Sequence, residues 1–499
     1  MYAKKFSFEQ ITITILLGLG ILIPLMQFLY NRSLWLDDAM LILNIIHKGY
    51  FELLKPLDNT QVAPILFLII EKFFSTLIPD SEYGLRLFPL LCYWASLFFF
   101  YKIVRILYDN VYMTILALSL FIFSPLLIYY SNEAKQYMCD VLVYTAMIYF
   151  TLKGYKKGQA KPFILSIAGT LAIWLSNVAP IILFVAGLYL LYEQFYIKKT
   201  KGIIGLTVVF AIWLIAFAIY YYFFIFNHPA RKNMLLYWSG SASFLPFNSL
   251  GGFLWFLSAK GWWMLNIFSP RIPIIVIIVL LLITGLFRII SEKKMGLAIL
   301  TCAPVIVHLF LSGFRLYPFE QRLILYIIPG LIFICTAGFE YVLTQLSSRS
   351  KSVNFKLFCF IPIIFLFSFN EFPIKKPPGI PFDVKSDIKF LKENVQDDEA
   401  IYVYWLGGFA FQYYQDIGLA DFKGHVIIGK ENQMFKPLGH KSDYLKVLEK
   451  IHGKCWLYFV NFRYWDDEEY IINQLDSTGY NRIKEYKTPG SSIYLYDFK

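Results

Sequence analysis

The chain has 499 residues, of which 58% are hydrophobic, 19% aromatic and only 16% charged, and its mean hydropathy is +0.55. A soluble protein of this length needs far more polar surface, so the composition excludes a soluble globular enzyme and points to a polytopic α-helical membrane protein. The formal net charge of +12 stands in short Lys/Arg clusters between apolar runs, which argues for cytoplasmic loops and against a nucleic-acid partner.

In chain order, apolar runs predict spans at about 10–30, 84–107, 112–131, 138–152, 163–176, 179–196, 203–226, 271–290, 295–312, 322–343 and 356–372. With Lys4 and Lys5 placed inside, the later basic residues fall on the same face. They are Lys102 and Arg105; Lys153, Lys156, Lys157 and Lys161; Lys198, Lys199 and Lys201; Lys293 and Lys294; and Arg349, Lys351 and Lys356. Counting residues 62–78 as a further span would invert every later loop. Glu71 and Lys72 interrupt that run, so it reads as an amphipathic or re-entrant segment on the outer side.

The long loops, 31–83, 227–270 and 313–321, are then all outer, and long loops tend to carry function. The second holds Trp238, Trp255, Trp262 and Trp263, as helices lying in the membrane interface would. Pro373, Pro377, Pro378 and Pro381 form a stiff linker, and the stretch after it carries 18 of the chain's 34 acidic residues. Strand-like runs at 401–405, 455–460 and 493–496, with helical spacing at 383–395 and 441–451, predict a soluble α/β domain there. The expected organisation is a membrane catalytic domain, 1–372, with about 11–13 transmembrane helices, and an extracytoplasmic α/β domain, 373–499.

Five of the six cysteines (Cys92, Cys139, Cys302, Cys335, Cys359 and Cys455) lie in apolar runs, with no CxxC or zinc spacing. The first apolar run lacks a small-residue cleavage site and reads as a retained span. No GxxxxGK[ST], HExxH or GxSxG occurs, nor a repeat of transporter type.

Polar residues at the outer ends of the spans form three groups. The first is Asp37 and Asp38, two carboxylates just past the first span, read either as a solvated helix N-cap or as working groups. The second is Glu133, Lys135, Gln136, Tyr137 and Asp140. Glu133, Gln136, Tyr137 and Asp140 would share a helical face, and the alternative is a surface ion pair such as Glu133–Lys135 or Lys135–Asp140. The third is Arg315, Tyr317, Glu320 and Arg322, where the arginines are either snorkelling anchors or a fork for an anionic group. Carboxylates beside phosphate-binding cations at a membrane rim suit group transfer from a lipid phosphate, with an aspartate as base. His47 and His308 are alternative bases, although His308, inside an apolar run, reads as a satisfied interhelical histidine.

The stretches SLWLDDAM from Ser33, QVAPILF from Gln61, SEYGLRLFPLL from Ser81, SPLLIYYSNEAKQYMCD from Ser124 and YPFEQRLILYIIPG from Tyr317 carry a resemblance. In this order they resemble glycosyltransferase family 39 and the lipid A aminoarabinose-transferase type, with the GT-C membrane fold. AIYVYWLGGFAFQYY from Ala400 is similar to the soluble tail of some bacterial members. The resemblance implies an inverting glycosyltransferase of the bacterial cytoplasmic (inner) membrane, with the N-terminus cytoplasmic and the C-terminal domain periplasmic. Its donor would be a polyprenyl-phosphate sugar and its acceptor a glycan, lipid or protein.

By the same resemblance Asp37 is the base, with Asp38 where a glutamate is usual, and Asp140 is the helper aspartate. Lys135, Arg315 and Arg322 would hold the donor phosphate. Gln61, Glu133, Gln136, Tyr137, Tyr317 and Glu320, from their places beside these residues, are the expected substrate-lining set. Where many members show a KPPL-like lysine, this chain has Val62-Ala63-Pro64-Ile65 after Gln61. No cofactor or metal is assigned, and a divalent cation at Asp37 and Asp38 is left open. The competing classes are a transporter or flippase of a lipid-linked glycan, which needs polar groups at mid-bilayer depth, and a ligase using a polyprenyl-pyrophosphate oligosaccharide.

Overall fold

The computed structural model describes residues 7–154, 161–196, 203–266, 268, 271–349, 383–429, 441–448, 450–460, 467–488 and 490–498. The expected span 356–372, the prolines at 373–381, and Lys4, Lys5, Lys156, Lys157, Lys198, Lys199, Lys201, Lys351 and Lys356 lie outside the described residues.

The helices, in order, begin with α1 (Phe8–Tyr30), α2 (Leu36–His47), α3 (Ile65–Leu77), α4 (Glu82–Leu107) and α5 (Val111–Ile122). Next come α6 (Pro125–Tyr130), α7 (Tyr137–Gly154), α8 (Pro162–Leu175), α9 (Ala179–Tyr196) and α10 (Ile203–Tyr220), which runs on into a π turn, Tyr221–Phe226. After α11 (Arg231–Gly240), α12 (Leu250–Leu265), α13 (Ile272–Ser291) and α14 (Met295–Gly313), a 3₁₀ segment, Gln321–Ile327, leads into α15 (Ile328–Arg349).

Among the described residues, seven helices are long and apolar enough to cross a membrane, starting at Phe8, Glu82, Ala179, Ile203, Ile272, Met295 and Gln321. The chain is thus a polytopic helical membrane protein with a small C-terminal sheet. The expected continuous span 112–131 is instead two helices, α5 and α6, broken at Ser124-Pro125, where the extended Ser124 precedes a residue with no amide to donate. Helix α8 has 14 residues and α3 has 13. At 1.5 Å per residue α3 is about 20 Å long, short of the roughly 30 Å hydrocarbon core.

The chain divides into two compact units, and the division differs from a cut at residue 372. One holds 1–29, 50–74 and 86–376; the other holds 30–49, 75–85 and 377–499. In the first unit α13 packs tightly against α15. A Cβ on Gly338 would lie 2.1 Å from the Leu281 carbonyl oxygen, and one on Gly285 would lie 2.0 Å from that of Ile334. Only glycine permits this approach, the usual way helices gain contact where burial from water drives nothing. Arg288 of α13 seals the pair by bonding Glu340 of α15 as well as Glu292.

The second unit is built on a five-stranded sheet of order β2-β1-β3-β5-β4. Its strands are β1 (Ala400–Val403), β2 (Val426–Ile428), β3 (Gly453–Val460), β4 (Asn481–Thr488) and β5 (Ser491–Phe498). β1 runs parallel to β2 and β3, and β5 runs antiparallel to β3 and β4. The run expected as strand 401–405 stops at Val403, and Trp405 opens a helix that ends at Asp416. Leu36 and Met40 of α2 sit in the same apolar core as Tyr404, Trp405, Leu457, Phe459 and Tyr494. The first loop therefore contributes a helix to the α/β unit.

Candidate functional site

Residues 131–140 are all buried, so the second polar group is no solvent-facing rim. Residues 131–136 are turns and α7 starts only at Tyr137, which corrects the expected four-residue helical face: Tyr137 and Asp140 alone share a helix. The turn is held from within. Asn132 Nδ2 donates to Ser131 Oγ (2.7 Å) and to the Pro24 carbonyl (3.3 Å).

Lys135, 4% exposed, donates from Nζ to Gln61 Oε1 at 2.7 Å. Lys135 is thus a buried cation bonded to an amide and not a solvated surface group. Gln61 reaches it from a loop whose two preceding residues, Asn59 and Thr60, both take left-handed backbone (φ 57° and 53°). Such backbone costs energy in residues other than glycine and is found where a side chain must be aimed. A buried ammonium is expensive unless it is hydrogen-bonded, and Gln61 supplies one such bond. Gln136, also buried, keeps its Oε1 without a hydrogen bond among the described residues, and Glu133 is buried alongside.

Asp140 accepts a bond from Ser176 Oγ at 2.6 Å, and the hydroxyls of Tyr220, Tyr317 and Tyr326 lie within electrostatic range of its carboxylate. Ser176 closes α8 at its extended C-cap, so the break between α8 and α9 delivers the hydroxyl. Burial pushes the Tyr317 hydroxyl well above its ordinary pKa, so that it is a hydrogen-bond donor at neutral pH.

Arg322 stacks its guanidinium over the rings of Tyr137 (5.9 Å) and Trp238 (5.2 Å). Tyr137 stands two residues past Lys135, so these two cations share a neighbourhood. Arg315 does not join them. It is exposed, its backbone is left-handed (φ 56°), and its guanidinium makes no hydrogen bond or ion pair among the described residues. Glu320 turns away to a structural task, accepting from Ser243 Oγ (2.6 Å) and Lys260 Nζ (2.7 Å). Lys260 and Ser243 were not singled out by sequence, and Trp238 was read only as an interface tryptophan; the one signal for all three was their place in the Trp-rich loop.

His308 is fully buried between Tyr326 Oη and the Pro318 carbonyl, each 3.0 Å from one ring nitrogen. A carbonyl only accepts, so Nε2 carries the proton and Nδ1 accepts from Tyr326. Both nitrogens are occupied, which removes His308 as a base.

In the second unit, Asp37 and Asp38 occupy the first turn of α2, with Asp37 half-buried and Asp38 buried. They are not the N-cap; that position is Trp35, which makes no side-chain capping bond. Acidic groups in a first turn gain from the helix dipole. His47, at the far end of α2, lies 2.9 Å from Asp416 and is tied to that carboxylate. Among the described residues, no cluster of three or more His, Cys, Asp or Glu is placed to hold a metal ion.

Residues 62–223 match the family model described as dolichyl-phosphate-mannose-protein mannosyltransferase. The fold is similar to the crystal structure of ArnT from Cupriavidus metallidurans bound to undecaprenyl phosphate, with a TM-score of 0.53, 11% identity and 97% of each chain covered. The apo form of the same protein gives a TM-score of 0.50 at 12% identity, again over 97% of each chain. No curated protein matches the chain by sequence. At these identities the two structures establish a shared fold, the GT-C membrane fold that the sequence motifs resemble.

Proposed function

We propose that this chain, with its ArnT-like fold and its mannosyltransferase-family match across residues 62–223, is an inverting glycosyltransferase. It moves a sugar from a polyprenyl-phosphate donor to an acceptor hydroxyl on the periplasmic face of a bacterial cytoplasmic membrane. The observation that carries this reading is Lys135, a buried cation that bonds the Gln61 amide, with the Arg322 guanidinium close by. Such an arrangement binds an anion in a region otherwise built for lipid, and the ArnT structure was solved with undecaprenyl phosphate.

Lys135 and Arg322 neutralise the phosphate as the bond from its oxygen to the anomeric carbon breaks, and the electron pair leaves with polyprenyl phosphate. The acceptor oxygen forms the new bond from the opposite face, and Asp37 takes its proton. Asp140, bonded by Ser176, and the Tyr317 hydroxyl supply polar contacts to the sugar.

The test is transfer of radiolabelled polyprenyl-phosphate sugars to extracted envelope acceptors by the purified protein in nanodiscs. Asp37→Asn should lower kcat by two to four orders of magnitude, the usual contribution of a general base, while donor binding stays as in wild type. Normal turnover by that variant removes Asp37 from the mechanism. Donor binding with no turnover by wild type would favour a lipid-glycan flippase instead.

A further inference from the structure

Two of the motifs that carry the resemblance, the one from Ser81 and the one from Ala400, take no part in this chemistry. The structure brings them together. Tyr414 Oη accepts the Leu34 backbone N–H at 3.0 Å and donates to Glu82 Oε1 at 3.0 Å. Glu82, 4% exposed, also accepts from Lys385 Nζ (2.6 Å) and Asn31 Nδ2 (3.2 Å), and Lys385 Nζ reaches the Asn31 carbonyl at 2.7 Å. Ser33 Oγ donates to Asp383 Oδ1 (2.5 Å) and accepts the Lys385 backbone N–H (3.1 Å). Asn31, Ser33 and Leu34, the chain that leads into α2, are thus each anchored.

The anchoring has a physical cause. The first amides of a helix have no partner within it, and the N-cap Trp35 supplies no side-chain acceptor. The start of α2 must therefore be held from outside, by this polar hub and by Leu36 and Met40 in the α/β core. Asp37 and Asp38 lie three and four residues beyond Leu34. A shift at Leu34 moves both carboxylates.

We infer that Tyr414, Glu82 and Lys385 are positioning residues that fix the start of α2 and with it the Asp37–Asp38 pair, so that the C-terminal α/β fold is a working part of the transferase. This rests on the reading of Asp37 as the base. Tyr414 is the member to alter. Removing Lys385 would strand the buried Glu82 charge, whereas Tyr414→Phe deletes one hydroxyl and keeps the ring.

The experiment compares full-length wild type, Tyr414→Phe and Tyr496→Phe in nanodiscs. Tyr496 donates to Asp476 Oδ1 (2.6 Å) in the same α/β unit, and that bond joins no residue of the hub, so its loss reports domain destabilisation. Hydrogen exchange over residues 31–41 and the kcat and KM of transfer are the two readouts. Tyr414→Phe should raise exchange at residues 34–40 at least tenfold and lower kcat about ten- to a hundredfold with the donor KM unchanged, as small misplacements of a reacting group do. Tyr496→Phe should lower Tm and leave both readouts at wild type.

Unchanged exchange in Tyr414→Phe overturns the inference. So does an equal loss of kcat in both variants, which would mark a stability effect. If wild type transfers no sugar from any polyprenyl phosphate, the proposed function fails, and the exchange readout still decides whether the hub holds α2.

Discussion

At the scale of single residues, the most informative contact joins Lys135 to Gln61. The motif comparison showed only that a familiar lysine was missing after Gln61. The fold shows that Gln61 instead cradles a lysine from another loop. A carboxylate in place of the Gln61 amide would add a negative charge beside Lys135 and repel an incoming phosphate. Gln61→Glu should therefore raise the Kd for polyprenyl phosphate at least tenfold, a change of about 1.4 kcal/mol, and binding titrations in nanodiscs check this. Equal affinity in the variant would mean that Lys135 does not face the donor. Such pairings are invisible in sequence because 74 positions separate the partners. His308 was legible, since an imidazole in an apolar run must be satisfied from within, and it is.

At the scale of elements, apolar runs located the long helices but not their breaks. Composition cannot distinguish one span from two short helices meeting at a proline, as at Ser124-Pro125. Nor could spacing show that residues 131–136 are turns, because three- and four-residue intervals fit a buried loop as well as a helix. Helix packing gives a sharp expectation at Gly338 in α15. Alanine gains up to about 1 kcal/mol of helix propensity over glycine. Its Cβ, however, would stand 2.1 Å from the Leu281 carbonyl oxygen, a rigid atom, so α13 and α15 must separate. Overpacking of this kind costs about 1–3 kcal/mol, so Gly338→Ala should be less stable on balance. Gly18→Ala in α1, where a new Cβ meets nothing within 4 Å, should be neutral or stabilising. Unfolding of the two variants side by side in detergent measures the difference, and equal stability would mean that the close approach of α13 and α15 is absent.

At the scale of the whole molecule, the sequence pattern separated an apolar part from an acidic, strand-forming tail, and both are present. It missed that residues 30–49 and 75–85 fold with the tail. Hydropathy assigns a segment by its own composition, and the apolar face of α2 is too short to reveal which core it will enter. This sharing bears on topology. If α2 belongs to the α/β unit, the first loop and the tail must occupy one compartment, which makes the number of crossings between residues 50 and 376 even. The proposed chemistry requires that compartment to be the periplasm, as the basic clusters also imply. Alkaline phosphatase, which is active only after export, should therefore be active when fused after residue 499 and inactive when fused after Lys153. The reverse pattern would place the Asp37 carboxylate in the cytoplasm and overturn transfer on the outer face. Activity at neither or both sites would place first loop and tail on opposite sides and contradict their common fold.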